Sequence, residues 1–340
     1  MSLLTAREAS VRSPRTGLVA LSAAAAAAAG TAAWVGAKAR RAEREHPPAG
    51  KYLYIDGVRL HYVIRGEGPP VVVLHGNTVT HADFQASGLI ERLAVDHCVI
   101  AFDRPGYGHS SRPRDRLWTP SAQAEVLHRA LAGLGIQRPV VMGHSMGTMV
   151  ALAMALDYPA QVASLVLIGG YYYPSLRVDA LLTAPVALPV VGDVMRYTVT
   201  ALSARAMLNR VVRGMFAPNE VPPGFFDAVS RELMVRPLQL RANAEDAAFM
   251  MPQARSLSKR YSGIRVPVTL IAGANDKVVD MKAHSQRFHQ EHPQSQLFVV
   301  PHTGHMAHYR ALDLIGKVID QPALPLRASD AARTAADASV

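Results

Sequence analysis

The chain has 340 residues, 49% of them hydrophobic and 18% charged, which excludes a disordered or fibrous protein and allows one large α/β domain with an insertion or two small domains. The net charge of +10 is localised, with +4 on residues 1–50, +4 on 174–260 and +1 on each of 51–173 and 261–340. Basic runs interleaved with aromatics are missing, so no nucleic-acid partner is expected, and the single cysteine, Cys98, reads as a buried, inert thiol.

Residues 1–16 form a basic N-terminal segment with Arg7, Arg12 and Arg15. The stretch 17–37 carries no charge and, as a helix, would be about 31 Å long, close to the thickness of a bilayer's hydrocarbon core. Trp34 near its end and the basic Lys38, Arg40, Arg41 and Arg44 beyond it suit a membrane anchor. Its many alanines and Ala-x-Ala sites suit a cleaved signal segment and an exported product instead. Residues 38–50 read as a charged linker ending in Pro47-Pro48 and Gly50.

Period-two alternation begins at Lys51 in KYLYIDGVRLHYVIRG, where Asp56-Gly57 is a two-residue hairpin turn. Apolar runs follow at Val71–Leu74, Val99–Phe102, Val140–Met142, Val162–Ile168, Val266–Ala272 and Gln296–Val300, with helical patterns such as Ser121–Leu134 between them. This spacing predicts a mostly parallel central sheet with helices on both faces, built from residues 51–173 and 261–320. It is broken once, by a stretch rich in proline and helical periodicity (MLNRVVRGMF, FFDAVSRELM), which reads as a helical insertion over 174–260. Residues 321–340 are small and polar and are expected to be disordered.

In such sheets chemistry gathers at the carboxyl ends of the strands. The residues after successive runs are His75-Gly76-Asn77, Asp103-Arg104-Pro105-Gly106-Tyr107-Gly108-His109-Ser110, Gly143-His144-Ser145-Met146-Gly147, Gly273-Ala274-Asn275-Asp276 and His302-Thr303-Gly304-His305. Gly-x-Ser-x-Gly between a strand and a helix is the sequence form of a nucleophile elbow. With HGN before it, DRPGYGHS next, and AGANDKVV and HTGHM after it, the chain resembles the serine-nucleophile branch of the α/β-hydrolase fold family over about residues 51–320. The resemblance implies that the insertion is a helical lid and that Ser145, Asp276 and His305 form a triad in the family's chain order.

The roles follow from chemical need. A serine hydroxyl requires a base, here His305, and the imidazole requires a carboxylate to hold its tautomer, here Asp276. By resemblance the oxyanion donors are the backbone N–H groups of Met146 and Asn77. Asp103 is a rival for the acid, although in this family an Asp at that place orders a loop; Asp280 reads as a helix cap. His302, His305 and His308 lack a carboxylate or cysteine at metal-site spacing, so no metal is expected, and no cofactor. His75 and His144 read as shaping their turns, and Tyr171-Tyr172-Tyr173 as either a pocket mouth or a half-buried start of the insertion. Family members that open epoxides or remove halide carry an aspartate where Ser145 stands, and epoxide openers usually a proline where Thr78 stands.

The expected function is therefore hydrolysis of carboxylic esters or lactones, with apolar small-molecule substrates, through an acyl-serine intermediate. Alternatives are cleavage of carbon–carbon bonds in diketone-like substrates with the same triad, or a ligand-binding receptor on this scaffold. The insertion carries Arg196, Arg205, Arg210 and Arg213 and an apolar run, Leu181–Val191, which read either as a solvated face of ordinary helices or as a second element, besides the N-terminal segment, that meets a membrane.

Overall fold

A computed structural model describes residues 14–175 and 178–321. Parts of the basic segment (1–13) and of the small, polar tail (322–340) lie outside the described residues. The first element is a long helix, α1 (Pro14–Glu45). The hairpin β1 (Lys51–Ile55) and β2 (Val58–Arg65) turns at Asp56-Gly57, both at positive φ. Then follow β3 (Pro70–Leu74), α2 (His81–Ala86), α3 (Leu89–Leu93), β4 (Cys98–Phe102), α4 (Pro120–Gly133), β5 (Val140–His144), α5 (Met146–Asp157) and β6 (Ser164–Ile168). Six helices come next: α6 (Val178–Ala187), α7 (Val191–Met195), α8 (Val199–Phe216), α9 (Phe225–Ala228), α10 (Arg231–Met234) and α11 (Pro237–Ser258). The chain closes with β7 (Val268–Gly273), α12 (Arg287–Glu291), β8 (Gln296–Val300) and α13 (Leu312–Asp320).

Among the described residues the strands form one sheet in the order β1-β2-β4-β3-β5-β6-β7-β8, antiparallel at β1/β2 and β2/β4 and parallel elsewhere. Alternate side chains of a strand point to opposite faces, which divides the core in two. Val71 and Val73 of β3 pack with Phe84, Leu89, Ile90 and Ile315, from α2, α3 and α13. Val72 and Leu74 pack on the other face with Val126, Leu127, Met149 and Val150, from α4 and α5. Both faces are covered, so the central strands read as continuous apolar runs rather than alternating ones. Tyr171, Tyr172 and Tyr173 are buried in the second of these layers, beside Tyr261 and Phe288, and are neither a pocket mouth nor half-exposed. Cys98 is half-buried, as the first residue of β4, whose other four residues are buried.

The helices between β6 and β7 sit over the carboxyl ends of the strands. Leu208, Val212, Met215 and Phe216 of α8 bury themselves with Phe225, Val229, Met234 and Val235 against Val79 and Met306 of the core. A second attachment is ionic. Asp246 of α11, fully buried, accepts from Arg104 Nη1 at 2.7 Å, Arg112 Nη2 at 2.9 Å and the Tyr107 hydroxyl at 2.9 Å. Burial alone would raise its carboxyl, but Arg112 and Arg104 outweigh that and hold it below the usual carboxylate range.

Helix α1 does not end where the charged linker was expected. It continues to Glu45 because its second half has a surface to pack on: Val35 and Ala42 are buried, Glu43 pairs with Arg236 Nη1 at 2.8 Å, and Arg205 lies over the Trp34 ring at 5.2 Å. Residues Leu18–Gly30 are exposed throughout, and the segment Leu18–Glu45 is long and apolar enough to cross a membrane by length and composition.

Removing one partner of a buried ion cluster strands the others, at a cost of about 3–5 kcal/mol. Asp246→Ala should therefore lower the urea-unfolding free energy by that order, whereas Glu45→Gln, which breaks the exposed Arg41–Glu45 pair, should leave the unfolding midpoint unmoved.

Candidate active site

Strand β5 runs straight into α5 through Ser145, which is held at φ 52° and ψ −120°, outside the regions non-glycine residues prefer. The turn is tight enough to require glycines. A Cβ on Gly143 would meet the Gly147 carbonyl, one on Gly147 would overlap the Leu74 carbonyl oxygen, and one on Gly76 would lie 2.9 Å from Ser145 Cβ. The elbow is thus wedged against the His75-Gly76-Asn77 turn after β3. Met146 opens α5, where the first N–H groups have no acceptor within the helix.

After β7, Asp276 Oδ1 accepts from the N–H groups of Val278 and Val279, at 2.8 and 2.9 Å, which aims Oδ2 at His305. His305 Nδ1 lies 2.8 Å from that oxygen, and both side chains are 2–3% exposed. The backbone N–H of His305 donates to the carbonyl of Met215, in the last turn of α8, at 3.1 Å. Gly169, at φ +53°, lies against the imidazole, where a Cβ would sit 3.3 Å from Nδ1. The missing side chain gives the ring room.

Asp103 is committed elsewhere. Its oxygens accept from His61 Nδ1 at 2.8 Å, His81 Nδ1 at 2.7 Å and the backbone N–H groups of His81 and His109. Burial would raise this carboxyl, but His81 and the hydrogen bonds from both histidines hold it well below the usual range. Asp280 accepts from the Ala283 N–H at 2.7 Å, at the start of the next helical turn. The three histidines near the end of the chain diverge: His302 is exposed, His305 faces Asp276, and His308 Nε2 lies 3.1 Å from Asp83 Oδ2, its ring against His144. His61, His81 and Asp103, and likewise Asp83, His144 and His308, lie close enough to ligate an ion. The hydrogen bonds to Asp103 already give the first set another use.

The turn carrying Asn77 is held by residues that the sequence reading did not single out. Arg104 Nε donates to the His75 carbonyl at 2.8 Å, and Nη2 to the Gly76 carbonyl at 3.1 Å and to Asn77 Oδ1 at 2.9 Å. Helix α11 supplies the rest: Asn243 Oδ1 accepts from the Thr78 N–H at 2.8 Å and Gln239 Nε2 donates to the Thr78 carbonyl at 2.7 Å. Gln239, Asn243 and Asp246 stand at i, i+4 and i+7, one face of a helix. That polar stripe within PLQLRANAEDAAFM was the available sequence signal. His75 accepts the Arg104 N–H at Nε2, at 2.9 Å, and sits 2.7 Å from the Gly76 carbonyl through Nδ1, so it is neutral with its proton on Nδ1. Burial, then the Arg104 charge, lowers its pKa to about 3. His144 is likewise held neutral by burial, with His308 and His305 adding to the effect, and its Nε2 lies 3.1 Å from the His305 carbonyl.

A family model of the alpha/beta hydrolase fold matches residues 69–311, and the chain belongs to that family. It is 24% identical over 279 residues to a 2-hydroxymuconate semialdehyde hydrolase of Pseudomonas putida, covering 82% of this chain and 95% of the relative. It is 28% identical over 253 residues to a putative carbamate hydrolase of Shigella flexneri, covering 69% and 84%. A solved alpha/beta hydrolase fold protein from Burkholderia ambifaria superposes with a TM-score of 0.67 at 21% identity, over 81% of this chain and 98% of that one.

The lowered His75 has a consequence for acid stability. Unfolding raises its pKa from about 3 to the ordinary 6.5, so between those values the unfolded chain binds one proton more and stability falls as pH falls. His75→Gln removes that proton, and should flatten the dependence of unfolding free energy on pH by about 1.4 kcal/mol per pH unit between pH 6 and 4. Chemical denaturation at stepped pH measures the slope.

Proposed function

We propose that the protein is a serine hydrolase of carboxylic esters or lactones, with Ser145 as nucleophile, His305 as general base and Asp276 as the carboxylate that orients it. The observation that carries this reading is the buried His305 Nδ1–Asp276 Oδ2 contact of 2.8 Å, supplied from one side of a strained serine turn. Asp276 fixes the proton on Nδ1, leaving Nε2 as the basic nitrogen. Ser145 Oγ attacks the substrate carbonyl carbon and gives its proton to His305 Nε2. The oxyanion is received by the N–H groups of Met146 and Asn77, the latter on a turn that Arg104 and α11 keep in place. Collapse breaks the bond to the leaving alcohol, which takes the proton from His305. Water, deprotonated by the same histidine, then releases the acid and restores Ser145.

A second reading, hydrolysis of carbon–carbon bonds in diketone-like substrates, is favoured by the likeness to the Pseudomonas putida 2-hydroxymuconate semialdehyde hydrolase; a carbon leaving group then takes the proton. A receptor that turns its ligand over slowly would keep the same residues. Apolar substrates and attachment to a membrane through α1 complete the proposal. The exposed Leu18–Gly30 stretch supports the anchor, and the insertion's position over the strand ends supports its role as a lid.

A screen of ester, lactone and diketone substrates distinguishes these readings by product. Ser145→Ala and His305→Ala should each remove nearly all turnover, and Asp276→Asn should lower kcat by about 10⁴ through the wrong tautomer. Asp103→Asn should act chiefly on stability. A fluorophosphonate should label wild type but not Ser145→Ala, and retained turnover in Ser145→Ala on every substrate would end the serine-hydrolase reading.

A further inference from the structure

Among the described residues, thirteen large apolar side chains outside α1 are prominently exposed, and eight of them fall between Leu188 and Val211. The other five are scattered singly, as on any soluble surface. Six of the eight, Leu188, Val190, Val191, Val194, Val199 and Leu202, occupy one short corner where α7 passes into α8, each 47–74% exposed. Val190, at φ 66°, is a β-branched residue in a conformation that favours glycine, and it lies in the turn that enters α7. A patch of this kind marks an interaction face.

We propose that the α7–α8 corner is a lipid-docking face, and that its apolar side chains enter the bilayer into which α1 is anchored. The inference rests on the reading of α1 as an anchor and adds a second membrane contact to it. Three observations select lipid as the occupant. First, α1 is exposed without interruption over Leu18–Gly30, about 20 Å of helix, and first becomes partly buried at Thr31 and Ala32. The bilayer surface therefore lies close to the point where the helix meets the body, near Trp34, the residue type suited to that level.

Second, Arg205 of α8 lies over the Trp34 ring at 5.2 Å, which brings α8 to the same level. Helix α8 holds the His305 loop at its carboxyl end, through Met215. Leu202, Val199 and α7 consequently lie on the far side of Arg205 from the catalytic loop. Third, the two arginines nearest the corner are already paired within the protein. Arg196 pairs with Asp193 at 2.8 Å and lies over Tyr197, and Arg205 pairs with Glu232 at 2.7 Å. Of the four arginines that could face lipid headgroups, these two are paired within the protein instead. The side chains left facing outward at the corner are apolar, so the attraction is to the acyl region and needs no anionic lipid.

The test uses the full chain in phosphatidylcholine vesicles, with a polarity-sensitive fluorophore on single cysteines in a Cys98→Ser background. Labels at Val191→Cys and Val194→Cys are compared with Ala25→Cys on α1 and with Val95→Cys, which lies just before β4 at the opposite end of the sheet. The expected result is blue-shifted emission at 191 and 194 and several-fold quenching by a doxyl-labelled phosphatidylcholine, unchanged by salt, with no quenching at 95. Emission at 191 and 194 like that at 95 overturns the docking face. So does a blue shift without lipid quenching that grows with protein-to-lipid ratio, which would assign the corner to a second copy of the chain. Ala25 reports the anchor separately: quenched at 25 but not at 191 and 194, the anchor stands and the docking face fails. Because the readout is independent of turnover, it is unaffected by the identity of the substrate.

Discussion

One guanidinium, that of Arg104, joins the parts on which this structure depends. It is fully buried and spends its donors on the His75 and Gly76 carbonyls, the Asn77 side chain, Gln123 and Asp246. The partners belong to the turn after β3, to α4 and to α11, so one side chain fixes the distance between the sheet, a covering helix and the insertion. A buried cation is tolerated only when its charge and hydrogens are matched. Asp246 supplies the charge and four oxygens with fixed directions supply the rest. The rigid planar fork is what allows one residue to meet them together, which a lysine would not do.

From this follows the character of the insertion. A helical segment laid over an active site is often imagined as hinged, yet α11 is tied by Asp246, Gln239 and Asn243 to the very turn that carries Asn77. Helix α8 is likewise engaged, through the Met215 carbonyl that receives the His305 N–H. Both the turn beside Ser145 and the loop carrying His305 are braced by the insertion. The corner between α7 and α8 is the part turned outward, which is where its apolar side chains collect.

The elbow illustrates a different constraint, exclusion of volume. Gly143, Gly147 and Gly76 bring three backbone segments closer than any side chain would allow, and the strain at Ser145 is the local cost of holding a hydroxyl above the sheet. The neutral, buried His75 and His144 belong to the same economy of space. Each makes directed hydrogen bonds that hold a turn, and each is kept uncharged by the loss of water around it.

The sequence by itself determined the strands, because an apolar run of three to seven residues covered on both faces leaves few other structures open. It also marked the elbow and the chain order of Ser145, Asp276 and His305, since tight turns restrict residue type locally. Tertiary structure alone decided the rest. Whether Asp103 or Asp276 faces His305 depends on strands 29 to over 200 residues apart in approach, and the contacts of 2.8 Å to His61 and to His305 assign the two carboxylates differently. That α1 extends to Glu45 depends on the surface offered by Arg236 and Arg205, and the burial of the three tyrosines depends on Tyr261 and Phe288. Periodicity and turn chemistry are properties of neighbours along the chain, whereas burial and ion pairing are properties of neighbours in space, and the stripe Gln239, Asn243, Asp246 acquires its meaning only when the Asn77 turn is brought beneath it.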